Sequence, residues 1–336
     1  MNKKHFNIPV FIPEAACPFQ CIYCNQRKIS GQLHIPGDQE IIQIIESRLQ
    51  TMPIENSEIE LAYFGGNFTG FSMEQQTNYL DLVQPYIRDG RISGIRLSTR
   101  PDYISEEILK LLKTKHVSTI ELGAQSLDDE VLKASKRGHT AAETIKASQM
   151  ILEFGFNLGL QMMIGLPSDS IDKAVFTAHK IIELGATETR IYPTLVIRDT
   201  LLEKKYHAGK FQPLSLEEAI VWSAKILQIF EQSNVKVLKL GLHPSDGLLS
   251  GADLVAGPWH QSFRELVLSE IWREQILPLL KHSGQGITID VSPKEINYAI
   301  GYKGSNKKLL SSGFGRVLFR NDSKLPGRAF KYSILT

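Results

Sequence analysis

The chain is 336 residues long, 42% hydrophobic and 22% charged, which is the composition of a globular protein with apolar surface enough for about two domains. Fifteen Phe and ten Tyr exclude disorder as the main state, and no apolar run reaches the ~18 residues of a membrane span. The net charge of +2 is uneven: residues 284–336 hold nine Lys or Arg against three Asp or Glu, a net +6, which leaves −4 on the rest. That distribution suits a polyanionic partner.

In chain order, Phe6–Ile12 reads as a strand. Pro9, Pro13 and Glu14 break the apolar run that a secretion signal needs, so the expected location is the cytoplasm. Helix 39–50 follows Asp38 as an N-cap, strand Ile59–Phe64 ends in Gly65-Gly66, and helix 73–87 begins after Ser72. Strand 94–98, helix 106–113, strand 118–122, two helices near 129–135 and 141–154, strand 157–163 and helix 171–184 come next. Strand 189–196 and helix 216–232 close the series. Six βα units imply a parallel sheet and an α/β fold. The expected domains are a barrel over 1–235, an associated extension over 236–283 and a basic module over 284–336.

All three cysteines, Cys17, Cys21 and Cys24, fall within eight residues, which is no disulfide framework. A structural zinc site wants four protein ligands, with His34 the nearest histidine. The C-x3-C-x2-C spacing points instead to a loop around one corner of a [4Fe–4S] cubane. Three thiolates there leave one iron open.

Cys17-Pro-Phe-Gln-Cys21-Ile-Tyr-Cys24 resembles the cluster loop of the radical S-adenosylmethionine (SAM) superfamily, including the aromatic Tyr23 before the last cysteine. The resemblance implies a TIM-like partial (β/α)6 barrel with its chemistry at the C-terminal strand ends. It also implies that SAM chelates the open iron and that one electron cleaves it to a 5′-deoxyadenosyl radical. Gly65-Gly66-Asn67 matches the segment that presents backbone carbonyls to the cofactor's amino group, and Ile164-Gly-Leu-Pro167 the adenine-side loop. Arg137 matches an arginine that binds the cofactor carboxylate in coproporphyrinogen-oxidase-like members, and Glu121 and Gln125 complete the expected cofactor shell.

Tyr63-Phe-Gly-Gly-Asn-Phe-Thr69, Ser98-Thr-Arg-Pro-Asp102, Glu121-Leu-Gly-Ala-Gln-Ser126, Arg137-Gly-His139 and Arg190-Ile-Tyr-Pro-Thr194 are more narrowly similar to the Elongator catalytic subunit and its bacterial relatives. Two departures matter: the cysteine spacing is the compact form, and no acetyl-coenzyme A loop follows position 200. The resemblance therefore implies a radical enzyme on structured RNA, tRNA foremost, without the acetyl-coenzyme A step. An electron donor such as flavodoxin or ferredoxin would serve it, with no membrane partner. The alternatives are a radical enzyme on a small-molecule or porphyrin-type substrate, and an RNA-binding protein with a structural cluster.

Beyond 200, His243 ends an apolar strand over 235–242 and His260 stands beside Trp259; each suits substrate or base contact as well as ordinary packing. Strand 287–291, helix 293–300, Gly301-Tyr302-Lys303-Gly304, a helix near 306–311 and strand 316–320 follow the order of a KH nucleic-acid-binding core. Gly301, Lys303, Gly304, Lys307, Lys308, Arg316 and Arg320 are its candidate RNA contacts.

Overall fold

A computed structural model describes residues 4–13, 17, 21–32, 34–54, 56–242 and 245–335. The chain divides into two compact units, one of Met1–Ser215 with Ile229–Pro258, the other of Leu216–Gln228 with Trp259–Thr336.

The first unit is built on a curled sheet. Strands β1 (Lys4–Phe11), β2 (Ser57–Phe64), β3 (Gly94–Thr99), β4 (Val117–Gln125), β5 (Asn157–Ile164) and β6 (Glu188–Pro193) pair in parallel in sequence order. One face of the sheet is apolar, with Ile8, Leu61, Leu97, Ile120, Leu160 and Ile191 all fully inaccessible, while the other buries the charged Glu60, Arg96 and Glu121. An apolar face of this kind needs helices to cover it. The covering helices start at side-chain caps, with Ser72 and Gln75 making a capping box, Thr140 and Glu143 another, and Ser105 and Ser170 each accepting a backbone N–H.

The short strand β7 (Val196–Ile197) leaves the sheet, and after helix Leu216–Gln232 strand β8 (Lys236–Leu240) returns to it beside β6, again parallel. The half-barrel thus has seven strands, where six were expected. Strand β9 (Leu254–Ala256) pairs antiparallel with β7 as a separate ribbon.

In the second unit, strand β10 (Gly284–Val291) is central, with β11 (Phe314–Asn321) parallel on one side and β12 (Phe330–Leu335) antiparallel on the other. Helices Phe263–Ile276, Ile296–Ile300 and Ser305–Leu310 cover one face, where Trp272, Ile276, Ile287, Ile289, Val291, Ala299, Leu310 and Val317 form a core.

Several expectations are corrected. The boundary at 235 would cut β8 from a sheet it completes. That at 283 would strip Trp272, Ile276 and Leu279 from the core they share with β10. Helix 73–87 is broken into Met73–Asp81 and Gln84–Arg88, because Pro85 cannot continue the first helix but suits the first turn of the next. Gly37, not Asp38, takes the N-cap position, and Asp38 favours the dipole from the first turn. No described helix is long and apolar enough to cross a membrane.

Candidate functional site

The site lies at the C-terminal ends of the strands, where the segment Cys21–Cys24 packs beside Met163 and Leu166 at the end of β5. Residues 14–16 and 18–20 of the cysteine loop, and His243, fall outside the described residues. Cys17 is exposed, Cys21 buried and Cys24 half-buried, and none forms a disulfide. The second half of the loop is tied down at three points. Ile22 donates its N–H to the Ser135 carbonyl at 3.2 Å, Leu202 donates to the Ile22 carbonyl at 2.7 Å, and Cys24 turns back to Cys21 at 3.0 Å. Cys21, Ile22 and Tyr23 are packed into an apolar cluster with Val131, Leu166, Val196 and Leu202, so water is excluded from that side.

Two restraints then reach across the sequence. Lys28 bridges Asp199 at 2.7 Å and Asp253 at 3.2 Å, and the Ser245 hydroxyl donates to the Lys28 carbonyl at 3.1 Å. The segment after the cysteines is thereby fastened to the β7–β9 ribbon.

Arg137 sits inside this site, only 8% exposed. Its Nη1 donates to Cys21 Sγ at 3.3 Å and its Nη2 to the Gly123 carbonyl at 2.6 Å, while Nε has no partner among the described residues. Gly123 makes that approach possible, since a Cβ there would lie 2.8 Å from Nη2. Arg100 supports Arg137 from below, donating to its carbonyl at 2.9 Å while gripping Asp102. Burial pulls the Arg137 guanidinium down, but Tyr23 and Cys21 beside it outweigh burial and keep it firmly cationic. Burial, then the Cys21 and Cys17 thiols, pushes the Cys24 thiol up to about 12.

Among the described residues, Gln125 Oε1, the Ser135 hydroxyl and His139 Nε2 here are also buried without partners, and the buried Tyr23 hydroxyl lies beside Cys21. Burial and the neighbouring Arg137 push His139 down to about 4, so its ring is neutral. Gly65 and Gly66 follow β2 with φ of +80° and +85°, a left-handed pair that side chains rarely adopt.

Three expected cofactor contacts are engaged elsewhere. Asn67 is buried with Oδ1 accepting from Thr99 Oγ1 at 2.6 Å and the Arg100 N–H at 3.1 Å, so it braces the Gly-Gly turn against β3. Glu121 accepts from Arg190 Nε and Nη2 at 2.6 and 3.0 Å and from Gln161 at 3.0 Å, with Arg96 Nε at 3.4 Å. Burial would raise its pKa, but these cations outweigh burial and hold it below the usual carboxylate range. Its carboxylate is full. Ile164 is buried, and its carbonyl accepts from both the N–H and hydroxyl of Thr194, at 2.9 and 2.8 Å.

Sequence reading missed Arg100 and Asp169. Asp169 accepts from the Gly165 N–H at 2.8 Å and the Ser170 N–H at 2.9 Å, closing the loop after β5, and burial pushes its carboxyl up to about 6. The motif Ser98-Thr-Arg-Pro-Asp102 marked Arg100 without giving its role, and Asp169 carried no signal. His34 is exposed and paired with Glu40 at 2.9 Å, so it is not a fourth ligand.

Among the described residues no three His, Cys, Asp or Glu side chains converge as a metal site. The donor set nonetheless suits an iron–sulfur cluster. The thiols are soft ligands, and the orphaned polar atoms line the same site.

In the second unit, helix Ile296–Ile300, the Gly301–Gly304 turn, helix Ser305–Leu310 and β11 follow one another. Lys303, Lys307 and Lys308 are exposed on the helical side. Arg316 and Arg320 are not with them. They alternate with Val317 and Phe319, which point into the core, and so lie on the opposite face of the sheet. The expected single surface is therefore two. Among the described residues none of these five cations makes an ion pair.

A curled parallel βα sheet carrying three cysteine thiols at its strand ends defines a barrel enzyme of the iron–sulfur kind. Family comparison is specific: residues 12–181 match the Radical SAM superfamily and residues 187–273 the Radical_SAM C-terminal domain, and the chain belongs to that superfamily. Its members use a [4Fe–4S] cluster and SAM. The tRNA uridine(34) acetyltransferase of Methanocaldococcus infernus is 30% identical over 196 residues, 52% of this chain and 36% of that protein. Elongator complex protein 3 of Schizosaccharomyces pombe is 29% identical over 139 residues, 40% of this chain and 26% of its own. Protein YhcC of Escherichia coli is 22% identical over 213 residues, 62% and 67% of the two chains. The chain thus spans about a third to a half of the tRNA acetyltransferases it matches. Among solved structures, archaeal Elp3 of M. infernus with residues 1–46 deleted superposes with a TM-score of 0.63 at 23% identity, over 82% of this chain and 64% of that one. This supports the fold.

Proposed function

We propose that this radical SAM enzyme modifies RNA, with tRNA as the substrate. Cys17, Cys21 and Cys24 would hold the cluster, which together with SAM would supply the radical chemistry for hydrogen abstraction. The chain's own residues do the rest. The Gly65-Gly66 turn offers backbone to the SAM amino group, and Arg137 meets the SAM carboxylate through the Nε that has no other partner among the described residues. Gln125 and Tyr23 supply the remaining polar contacts. Asn67, Glu121 and Asp169 hold the loops and strands in place, and the apolar cluster around Ile22 keeps bulk water from the reacting atoms. A small protein donor of the flavodoxin or ferredoxin class delivers the electron.

One observation carries the RNA reading: Lys303, Lys307, Lys308, Arg316 and Arg320 are left without acidic partners among the described residues, in a segment of net charge +6. Relatives named for tRNA uridine 34 support it. Mass spectrometry of tRNA nucleosides from a deletion strain should reveal one modified nucleoside lost or a precursor accumulated. An unchanged nucleoside profile would remove the RNA substrate.

A further inference from the structure

We propose that Tyr302 and His260 form a stacking platform for one unpaired base of a single-stranded RNA segment, with Lys303 taking the adjoining phosphate. This rests on the RNA reading above and narrows it to unpaired RNA. The two rings meet edge to face, centroids 5.3 Å apart at 89°, and Lys303 Nζ stands 5.5 Å from the Tyr302 centroid. His260 Nδ1 accepts the Ser262 N–H at 2.9 Å, which places the neutral ring's proton on Nε2. Both rings are half-buried.

The core does not need Tyr302. Tyr298, one turn earlier, packs against the core of the second unit, and Tyr302 is not part of that cluster. The backbone beneath it is nevertheless rigid. Gly301 has φ +83°, and any Cβ there would overlap Ser305 and Asn306. The Tyr302 N–H donates to Ser269 Oγ at 2.9 Å, and the buried Asn306 amide donates to the Ser269 carbonyl at 2.9 Å. Lys303 is held at φ +51°, in the left-handed region that a non-glycine residue rarely occupies. On the other side, Gly304 (φ +75°) faces open space. A turn that fixes a half-buried aromatic ring beside an exposed ammonium with no acidic partner among the described residues matches one nucleotide: a flat base and its phosphate. In a duplex both base faces are already stacked, so only an unpaired base reaches such a ring.

The test is fluorescence anisotropy of the cluster-loaded full chain with a labelled unstructured RNA 12-mer and with the same sequence locked in a hairpin stem, at two salt concentrations. The wild type should prefer the unpaired RNA. Tyr302→Leu should weaken it about five- to hundredfold while keeping the salt slope. Lys303→Gln should reduce that slope by about one. A 2-aminopurine in the 12-mer should be quenched on binding wild type, which holds even if the leucine variant folds poorly. Salt-dependent binding with neither quenching nor loss in Tyr302→Leu overturns the platform and leaves the RNA reading standing. No RNA binding by the wild type overturns both.

Discussion

The two units treat positive charge in opposite ways. In the sheet unit Arg96 lies buried among Glu60, Glu121 and Glu188, Arg190 grips Glu121, and the half-buried Lys28 spans Asp199 and Asp253. In the second unit Lys303, Lys307, Lys308, Arg316 and Arg320 have no acidic partner among the described residues. A cation with permanent partners in the interior fixes geometry, because removing either partner strands a buried charge. One left in solvent fixes nothing and is available to a polyanion. The same residue types therefore serve as scaffold in one unit and as contact surface in the other.

The comparison breaks most sharply at the cysteines. Cys21→Ala should abolish both cluster loading and SAM cleavage; anaerobic reconstitution should give about four irons in wild type and far fewer in the variant. A wild type that takes up only zinc would refute the cluster assignment. Next in size is the buried network. Glu121→Gln leaves Arg190 and Arg96 short of charge at the sheet, and denaturant titration should show a loss of about 3–5 kcal/mol. By contrast, Lys303→Asp should stay within about 0.5 kcal/mol of wild type while weakening tRNA binding. If Lys303→Asp cost as much stability as Glu121→Gln, the division into scaffold and contact would fail.

Gly123→Ala sharpens the contrast within the site. Its methyl group would displace the Arg137 guanidinium, so calorimetry should show SAM affinity falling about ten- to hundredfold, a loss of ~1.5–3 kcal/mol, with iron content intact. Arg137→Ala should give a similar loss, and the double variant little more, since both remove one contact. The smallest effect concerns Asp169. Its folded pKa of about 6 lies above the ordinary aspartate value, so the folded chain holds a proton that the unfolded chain releases. That contribution is fully present below pH 4 and is lost as pH rises through 6. Asp169→Asn should therefore gain on wild type by about 1–2 kcal/mol between pH 4 and pH 7, read as the difference between their denaturant midpoints.

Local rules made much of this legible. Short β-rich runs alternating with longer amphipathic ones made β1 to β6 and their helices stand out, and the motifs fell at the strand ends where barrel chemistry sits. What escaped was partnership. The segment that forms β8 looks like a strand, but nothing local says that it pairs with β6. β12, with Phe330, Tyr332 and Ile334 alternating with Lys331 and Ser333, was passed over at the chain end. Glu121 and Asn67 were assigned to the cofactor because the resemblance marks positions. Their partners, Arg190 and Thr99, lie 69 and 32 residues further along, where no spacing rule reaches. Arg316 and Arg320 were grouped with Lys303 by proximity in the chain, and the pleat then turned them to the other face.

The fastening of Lys28 to Asp199, Asp253 and the Ser245 hydroxyl has a consequence for biosynthesis. The cysteines leave the ribosome early, but the residues that lock their loop come 171 to 225 positions after Lys28. Long-range contacts of this kind close late. During translation the three thiols stay exposed and unrestrained until nearly the whole first unit has been made. Cluster insertion into a finished pocket is thus an event that follows synthesis, and the nascent thiols need a reducing environment until then.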